Sequence, residues 1–113
     1  MNLIHAQQGE YLVVTVNATR IDASAALEFK DSMNSIDESN SKILLNLEQV
    51  EFIDSSGLGA VVSVMKHLGK GRKMDLCALT PTVEKVFRLT RIDSIFAIYA
   101  TLEQAVSDQK ATG

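Results

Sequence analysis

Residues 42–47, KILLNL, form a short and almost continuously apolar run with polar segments on both sides. A strand in the middle of a parallel sheet has this composition, because helices cover both of its faces. A second run of the same kind, MDLCAL, occupies residues 74–79. Each run is followed along the chain by apolar residues at the spacing that is typical of an amphipathic helix. The two runs therefore predict an α/β fold in which residues 42–47 are a central strand.

The remaining segments predict a hairpin at the start of the chain, four helices and one further strand. The hairpin strands, residues 3–6 and 11–16, flank a tight turn. The helices are predicted to begin at Asp22 or Ser24, at residues 54–56, at Thr80 as N-cap before Pro81, and at Thr101, and the last strand spans residues 95–99. The predicted order is β-β-α-β-α-β-α-β-α, a sandwich with a mixed sheet of about five strands and about four helices.

The second predicted helix carries two sets of apolar residues. Its main stripe consists of Leu58, Val61, Val62, Met65 and Leu68. A different face holds Ala60, Val64 and His67. Two interpretations of that face are open: it extends a surface for a binding partner, or another helix covers it.

Composition limits the class of protein. With 113 residues, 46% apolar and 22% charged, the chain predicts one globular domain, residues 1–108, with a frayed tail over 109–113. The sequence lacks a long apolar run and a signal-peptide pattern, so we expect a cytoplasmic protein with no membrane partner. The lone Cys77 lies in an apolar run and predicts a buried, unreactive thiol. A net charge of -3 argues against direct nucleic-acid binding.

The peptide Asp54-Ser55-Ser56-Gly57 has the most unusual composition, with two hydroxyls beside a carboxylate at a predicted helix start. Ligands and partners of α/β sheets meet the carboxyl ends of the strands, so we expect residues 17–22, 51–57 and 80–82 to gather there. A helix cap alone would also explain Asp and Ser at this position.

The sequence does not favour an enzyme. The nucleophile motif G-x-S-x-G is absent, and His67 lies roughly 16 Å from Ser56 along the same helix. Residues 57–59, GLG, lack the third glycine of a dinucleotide site, and the isolated Cys and His residues show no metal-ligand spacing. We therefore predict no catalytic residue, no metal and no cofactor.

The peptide EFIDSSGLG, residues 51–59, resembles the phosphorylation motif of the STAS domain family, the anti-sigma factor antagonists of bacterial partner-switching regulators. The resemblance also covers KILLNLEQV before the motif, MDLCALTPTVEKVF after it, and GEYLVVTV followed by Ile21 and Asp22. The family often carries glycine where this chain has Ala18.

The resemblance implies a switch protein that is itself a substrate. Its unphosphorylated form would bind and sequester an anti-sigma factor that is also a serine kinase. Phosphorylation of Ser56 would release that partner, and a PP2C-like phosphatase would restore the serine. The implied partner-binding residues are Asp22, Asp54, Ser55, Ser56, Gly57 and Leu58.

Two of these residues have specific implied roles. Asp54 would orient the serine hydroxyl or the partner's contacts, and Gly57 would let another backbone approach. The alternative function is a non-switching STAS subunit of a larger signalling or transporter-associated complex, in which Ser56 only belongs to a helix cap.

Overall fold

Seven strands and four helices follow one another in the computed structural model, which describes residues 2–112 and the side chains of residues 2–108. The strands are β1 (Asn2–Gln8), β2 (Tyr11–Asn17), β3 (Arg20–Ile21), β4 (Lys42–Asn46), β5 (Phe52–Ile53), β6 (Lys73–Cys77) and β7 (Ile98–Tyr99). The helices are α1 (Ala23–Asn34), α2 (Ser55–Leu68), α3 (Pro81–Leu89) and α4 (Leu102–Thr112), and a 3-10 turn spans Ile92–Ile95.

Five strands form the main sheet in the order β1-β2-β4-β6-β7, with β1 antiparallel to β2 and all other neighbours parallel. The apolar run of β4 lies at the centre, and Ile43, Leu44 and Leu45 are fully buried there. The opening hairpin turns at Gly9, whose φ of 59° suits a residue without a Cβ. The predicted mixed α/β sheet with four helices is confirmed.

The sequence did not predict the small parallel pair of β3 and β5, in which Arg20 lies opposite Phe52 and Ile21 opposite Ile53. Two-residue strands are too short to show a periodic pattern, so only the tertiary structure brings them together. The last strand is also shorter than the predicted 95–99. Ile95 ends the 3-10 turn that follows the left-handed residue Arg91, φ 61°, and the strand begins only at Ile98.

The core has two parts, one on each face of the sheet. Helices α1, α2 and α3 bury the larger cluster, and α4 covers a smaller one that includes Tyr11, Leu44 and Cys77. In the smaller cluster the buried carboxylate of Asp75 accepts a hydrogen bond from the Tyr11 hydroxyl and pairs with Lys73 at 3.2 Å. Burial raises the pKa of the Cys77 thiol to about 12. The prediction of a buried thiol is confirmed.

Helix α1 packs along α2 and decides between the two interpretations of the second apolar set. Ala60 and Val64 are only 3% and 1% exposed and belong to the larger core cluster. A partner surface that includes them is therefore the wrong interpretation. His67 stays exposed at the far end of the helix.

Helix α4 begins with the predicted capping pattern, since Thr101 Oγ1 accepts the N–H of Gln104 at 3.0 Å. Its backbone continues to Thr112. Gly113 and the side chains from residue 109 onward lie outside the described residues, so the boundary between domain and tail stays a prediction. Within residues 2–112, no helix combines the length and the apolar character that a bilayer crossing requires.

Candidate functional site

The three loops predicted to gather do so at the carboxyl ends of the central strands. The N–H of Glu51 donates to the carbonyl of Thr19 at 2.8 Å, which joins the first two loops. The hydroxyl of Thr80 donates to the carbonyl of Val50 at 2.7 Å, which adds the third. Thr80 is the predicted N-cap of α3, directly before Pro81, although its hydroxyl makes no hydrogen bond to the helix and donates to the Val50 carbonyl.

Asp54 connects the starts of two helices. Its backbone is extended, and its Oδ1 accepts the N–H of Gly57 at 2.9 Å, so it is the N-cap of α2. Its Oδ2 accepts the N–H of Ala23, the first residue of α1, at 3.2 Å. Because both oxygens bind backbone N–H groups, the carboxylate orients the two helix ends. It does not orient the Ser56 hydroxyl, which was one of its two implied roles.

Ser55 and Ser56 occupy the first two positions of α2, and both side chains are exposed. Within the described part of the chain, neither hydroxyl makes a hydrogen bond, because Asp54 supplies the cap. The N–H groups of a first helical turn and the helix dipole favour an anion at this position. The site therefore presents two free hydroxyls at a helix start, where the backbone environment favours an anion.

Gly57 and Leu58 lie beneath this surface. A Cβ on Gly57 would come within 1.9 Å of the Ile21 carbonyl oxygen, so the backbone that approaches Gly57 belongs to β3 of the same chain. Leu58 is only 4% exposed and packs in the core. These two residues would support a partner surface through packing, whereas Ser55 and Ser56 are open to direct contact.

Asp22 is the N-cap of α1, which settles the choice between Asp22 and Ser24. It accepts hydrogen bonds from the Ser24 N–H at 3.2 Å and hydroxyl at 2.6 Å, and from Arg20 Nε at 3.2 Å. The Ser24 hydrogen bond and the Arg20 contact hold the pKa of the Asp22 carboxyl below its usual value. Asp22 and Asp54 are thus two half-buried carboxylates at the helix starts, one bound to α1 and the other to both helices.

Sequence reasoning missed Arg20 and Phe52 as parts of this site. The Arg20 guanidinium lies over the Phe52 ring, 4.4 Å from its centroid, and also contacts Asp22. The signals were an arginine close to a predicted cap and an aromatic residue just before the motif, but the β3–β5 pairing was needed to join them. This cation–π contact forms an exposed edge of the site.

The side chains around the motif are suited to binding and to modification. The polar groups are hydroxyls, two carboxylates and one guanidinium, each carboxylate held by hydrogen bonds of its own. Among residues 2–108, no group of three or more His, Cys, Asp and Glu side chains is placed to hold a metal ion. The geometry therefore offers two exposed hydroxyls at a helix start that Asp54 caps.

Comparison with known proteins gives matches over nearly the whole chain. The model of the STAS domain family matches residues 3–105. The Bordetella bronchiseptica protein BtrV, named as an anti-sigma factor antagonist, is 30% identical over 106 residues, 93% of this chain and 84% of BtrV. An anti-sigma factor antagonist of Thermotoga maritima is 38% identical over 68 residues, and this alignment spans 59% of this chain and 60% of that protein.

Solved structures share the fold. The crystal structure of the T. maritima protein TM1081 superposes with a TM-score of 0.80 at 28% identity, covering 94% of this chain and 92% of that one. SpoIIAA, an anti-sigma factor antagonist, superposes in its unphosphorylated form with a TM-score of 0.70 at 24% identity, covering 97% and 96% of the two chains. The phosphorylated form of SpoIIAA from Bacillus gives 0.68 at 23% identity, covering 95% and 98%.

Proposed function

This chain belongs to the STAS domain family, and from that membership we propose that it is a cytoplasmic anti-sigma factor antagonist that works by partner switching. Its unphosphorylated form binds and sequesters an anti-sigma factor that is also a serine kinase. Phosphorylation of Ser56 releases the partner, and a PP2C-like phosphatase reverses the modification. The observation that carries this proposal is the exposed Ser56 hydroxyl, free at the start of a helix that Asp54 caps.

The choice of Ser56 over Ser55 rests on the motif. Both hydroxyls are exposed and neither is used as the cap, so local geometry favours them equally. In the family motif that residues 51–59 resemble, the phosphorylated residue is the second serine. Asp22, Asp54, Ser55 and Ser56 then form the surface that meets the partner, supported from below by Gly57 and Leu58.

A phosphate on Ser56 would act at the interface and leave the fold intact. The helix start favours an anion by about 0.3 to 1 kcal/mol. A docked partner would have to bury about -1.5 to -2 charges beside Asp54, at a cost on the order of 2 to 5 kcal/mol unless a cation matches them. This cost corresponds to roughly a thirty-fold to several-thousand-fold loss of affinity.

The decisive experiment captures the partner of the unphosphorylated protein from its own cells and incubates the two with ATP. We expect tandem mass spectrometry to find one phosphate, on Ser56. Calorimetric titration should show that Ser56→Asp binds much more weakly than wild type, while Ser56→Ala binds persistently. The matched variants Ser55→Ala and Ser55→Asp separate the two neighbouring hydroxyls.

Three results would overturn the proposal. The phosphate could lie mainly on Ser55 or persist undiminished in Ser56→Ala. Ser56→Asp could bind as tightly as wild type. Its weaker binding could also follow a drop in melting temperature, which would mean that the added charge damages the fold and not the interface.

A further inference from the structure

Strand β1 forms one edge of the main sheet, and its outer side has no neighbouring strand in the described part of the chain. Its seven residues, NLIHAQQ, pair with β2 in unbroken register, and all but Leu3 are exposed. The strand contains no Asp, Glu, Lys, Arg, Pro or Gly. Edge strands usually carry charges, prolines or bulges that prevent pairing with another chain. This edge has none of these protective features.

The hairpin turn determines which backbone groups face outward. Gln8 and Tyr11 flank the two-residue turn at Gly9 and Glu10. Such a turn closes on a hydrogen-bonded pair, and hydrogen-bonded and non-hydrogen-bonded pairs then alternate along the strands. Gln8 and every second residue before it therefore direct their N–H and C=O groups toward β2. Leu3, His5 and Gln7 direct theirs to the outer edge.

We propose that β1 is a self-association edge, which pairs antiparallel with β1 of a second copy about a two-fold axis at His5. In this register His5 lies opposite His5 of the second copy, and Leu3 of each copy lies opposite Gln7 of the other. All three outward-facing residues then form hydrogen-bonded pairs, with about six backbone hydrogen bonds in total. The two sheets join into one continuous sheet.

The side chains fit this register. Ile4 and Ala6 lie on the face of the sheet that α4 partly covers, opposite Thr15 and Val13 of β2. Ile4 is 49% exposed. In the proposed pair, Ile4 of each copy lies directly opposite Ala6 of the other, at the short distance of a non-hydrogen-bonded pair. The pairing therefore covers apolar surface that the single chain exposes.

A second copy is the occupant that this edge fits best. Its three outward-facing residues are symmetric about His5, so one strand supplies both halves of an isologous interface. Strand β1 carries no Asp, Glu, Lys or Arg, so none of these charged side chains meets its own copy across the axis. The contact is smaller than a standard stable interface, so we expect a dimer that depends on protein concentration.

The test measures mass by sedimentation or light scattering over a concentration series that reaches the millimolar range. We expect wild type to approach the mass of two chains. His5→Glu and His5→Lys should each stay monomeric, because like charges would oppose each other across the axis. An equimolar mixture of the two variants should dimerise again. Gln49→Glu and Gln49→Lys make the same charge changes at an exposed loop residue and should dimerise like wild type.

Amide hydrogen exchange identifies the edge itself. The outward N–H groups of Leu3, His5 and Gln7 should become protected only at high protein concentration, whereas those of Ile4 and Ala6 should be protected at every concentration. A wild type that stays monomeric, a His5→Glu variant that dimerises normally, or a mixture that stays monomeric would overturn the proposal. So would a dimer without this alternating protection. Circular dichroism of each variant checks that it is folded.

Discussion

The carboxylate of Asp54 accepts the backbone N–H of Ala23 at 3.2 Å, across 31 positions of sequence. Its other oxygen caps α2 through Gly57, so one side chain binds the first turns of two helices. The start of α2, where Ser56 lies, is therefore attached to the start of α1. Asp54 belongs to the DSSG peptide, so the peptide itself supplies the side chain that fixes the position of its helix start.

Replacing Asp54 should lower the free energy of unfolding by more than the loss of an ordinary helix cap does. Asp54→Ala removes a cap and a second charge-assisted hydrogen bond, so we expect the free energy of unfolding to fall by about 2 kcal/mol. Asp54→Asn keeps one acceptor oxygen and should lose about half as much. Urea denaturation measures both, with Asp31→Ala on the exposed side of α1 as control. A loss for Asp54→Ala no larger than that of the control would contradict this role.

The two glycines of α2 should respond in opposite directions to alanine. At Gly57 an added Cβ would lie 1.9 Å from the Ile21 carbonyl oxygen, so Gly57→Ala must displace β3 or α2. We expect a loss of about 3 kcal/mol or a failure to fold. At Gly59 the Cβ would meet nothing within 4 Å, and Gly59→Ala should stabilise the helix by about 0.5 to 1 kcal/mol. Thermal and urea melts of Gly57→Ala and Gly59→Ala measure both changes in stability. Equal changes for the two variants would be inconsistent with the packing described.

Val64 and Ser63 are adjacent residues of α2 with opposite exposure. Val64→Glu would place an unpaired carboxylate in the core between α1 and α2, and we expect a loss of about 4 kcal/mol or more. Ser63→Glu adds the same charge on the solvent side and should change stability by less than about 0.5 kcal/mol. A normal melting temperature for Val64→Glu would show that this face of α2 is open after all.

Cys77 should make the protein less stable at alkaline pH. Burial raises the pKa of its thiol from 9.0 to about 12 in the folded state. Below pH 9 both states keep the proton, and as pH rises toward 12 only the unfolded chain releases it, so stability falls. We expect this residue to account for a loss of about 1 kcal/mol between about pH 9 and 10. Urea melts at several pH values should show a smaller slope for Cys77→Ala; an unchanged slope would refute the assignment.

Local patterns in the sequence were sufficient to predict the central strand of the sheet and the helices that cover it. The apolar run of residues 42–47 marked the central strand, and helical spacing after Ser56 and Pro81 marked the helices that cover it. The start of α1 at Asp22 or Ser24 and the position of the DSSG peptide at a helix start were also predicted from the sequence. These features depend on the chemistry of neighbouring residues, and periodicity and capping act within a few positions of the chain.

The tertiary structure alone decided which distant segments share the site. The parallel pairing of β3 with β5 joins Arg20 to Phe52, and it also places the Ile21 carbonyl where only a glycine fits on α2. The hydroxyl of Thr80 binds Val50 because those two loops meet at the end of the sheet. Such contacts join residues about thirty positions apart, and they are set by how the helices pack on the sheet. Local periodicity in the sequence does not predict that packing, because each segment taken alone is compatible with many neighbouring segments.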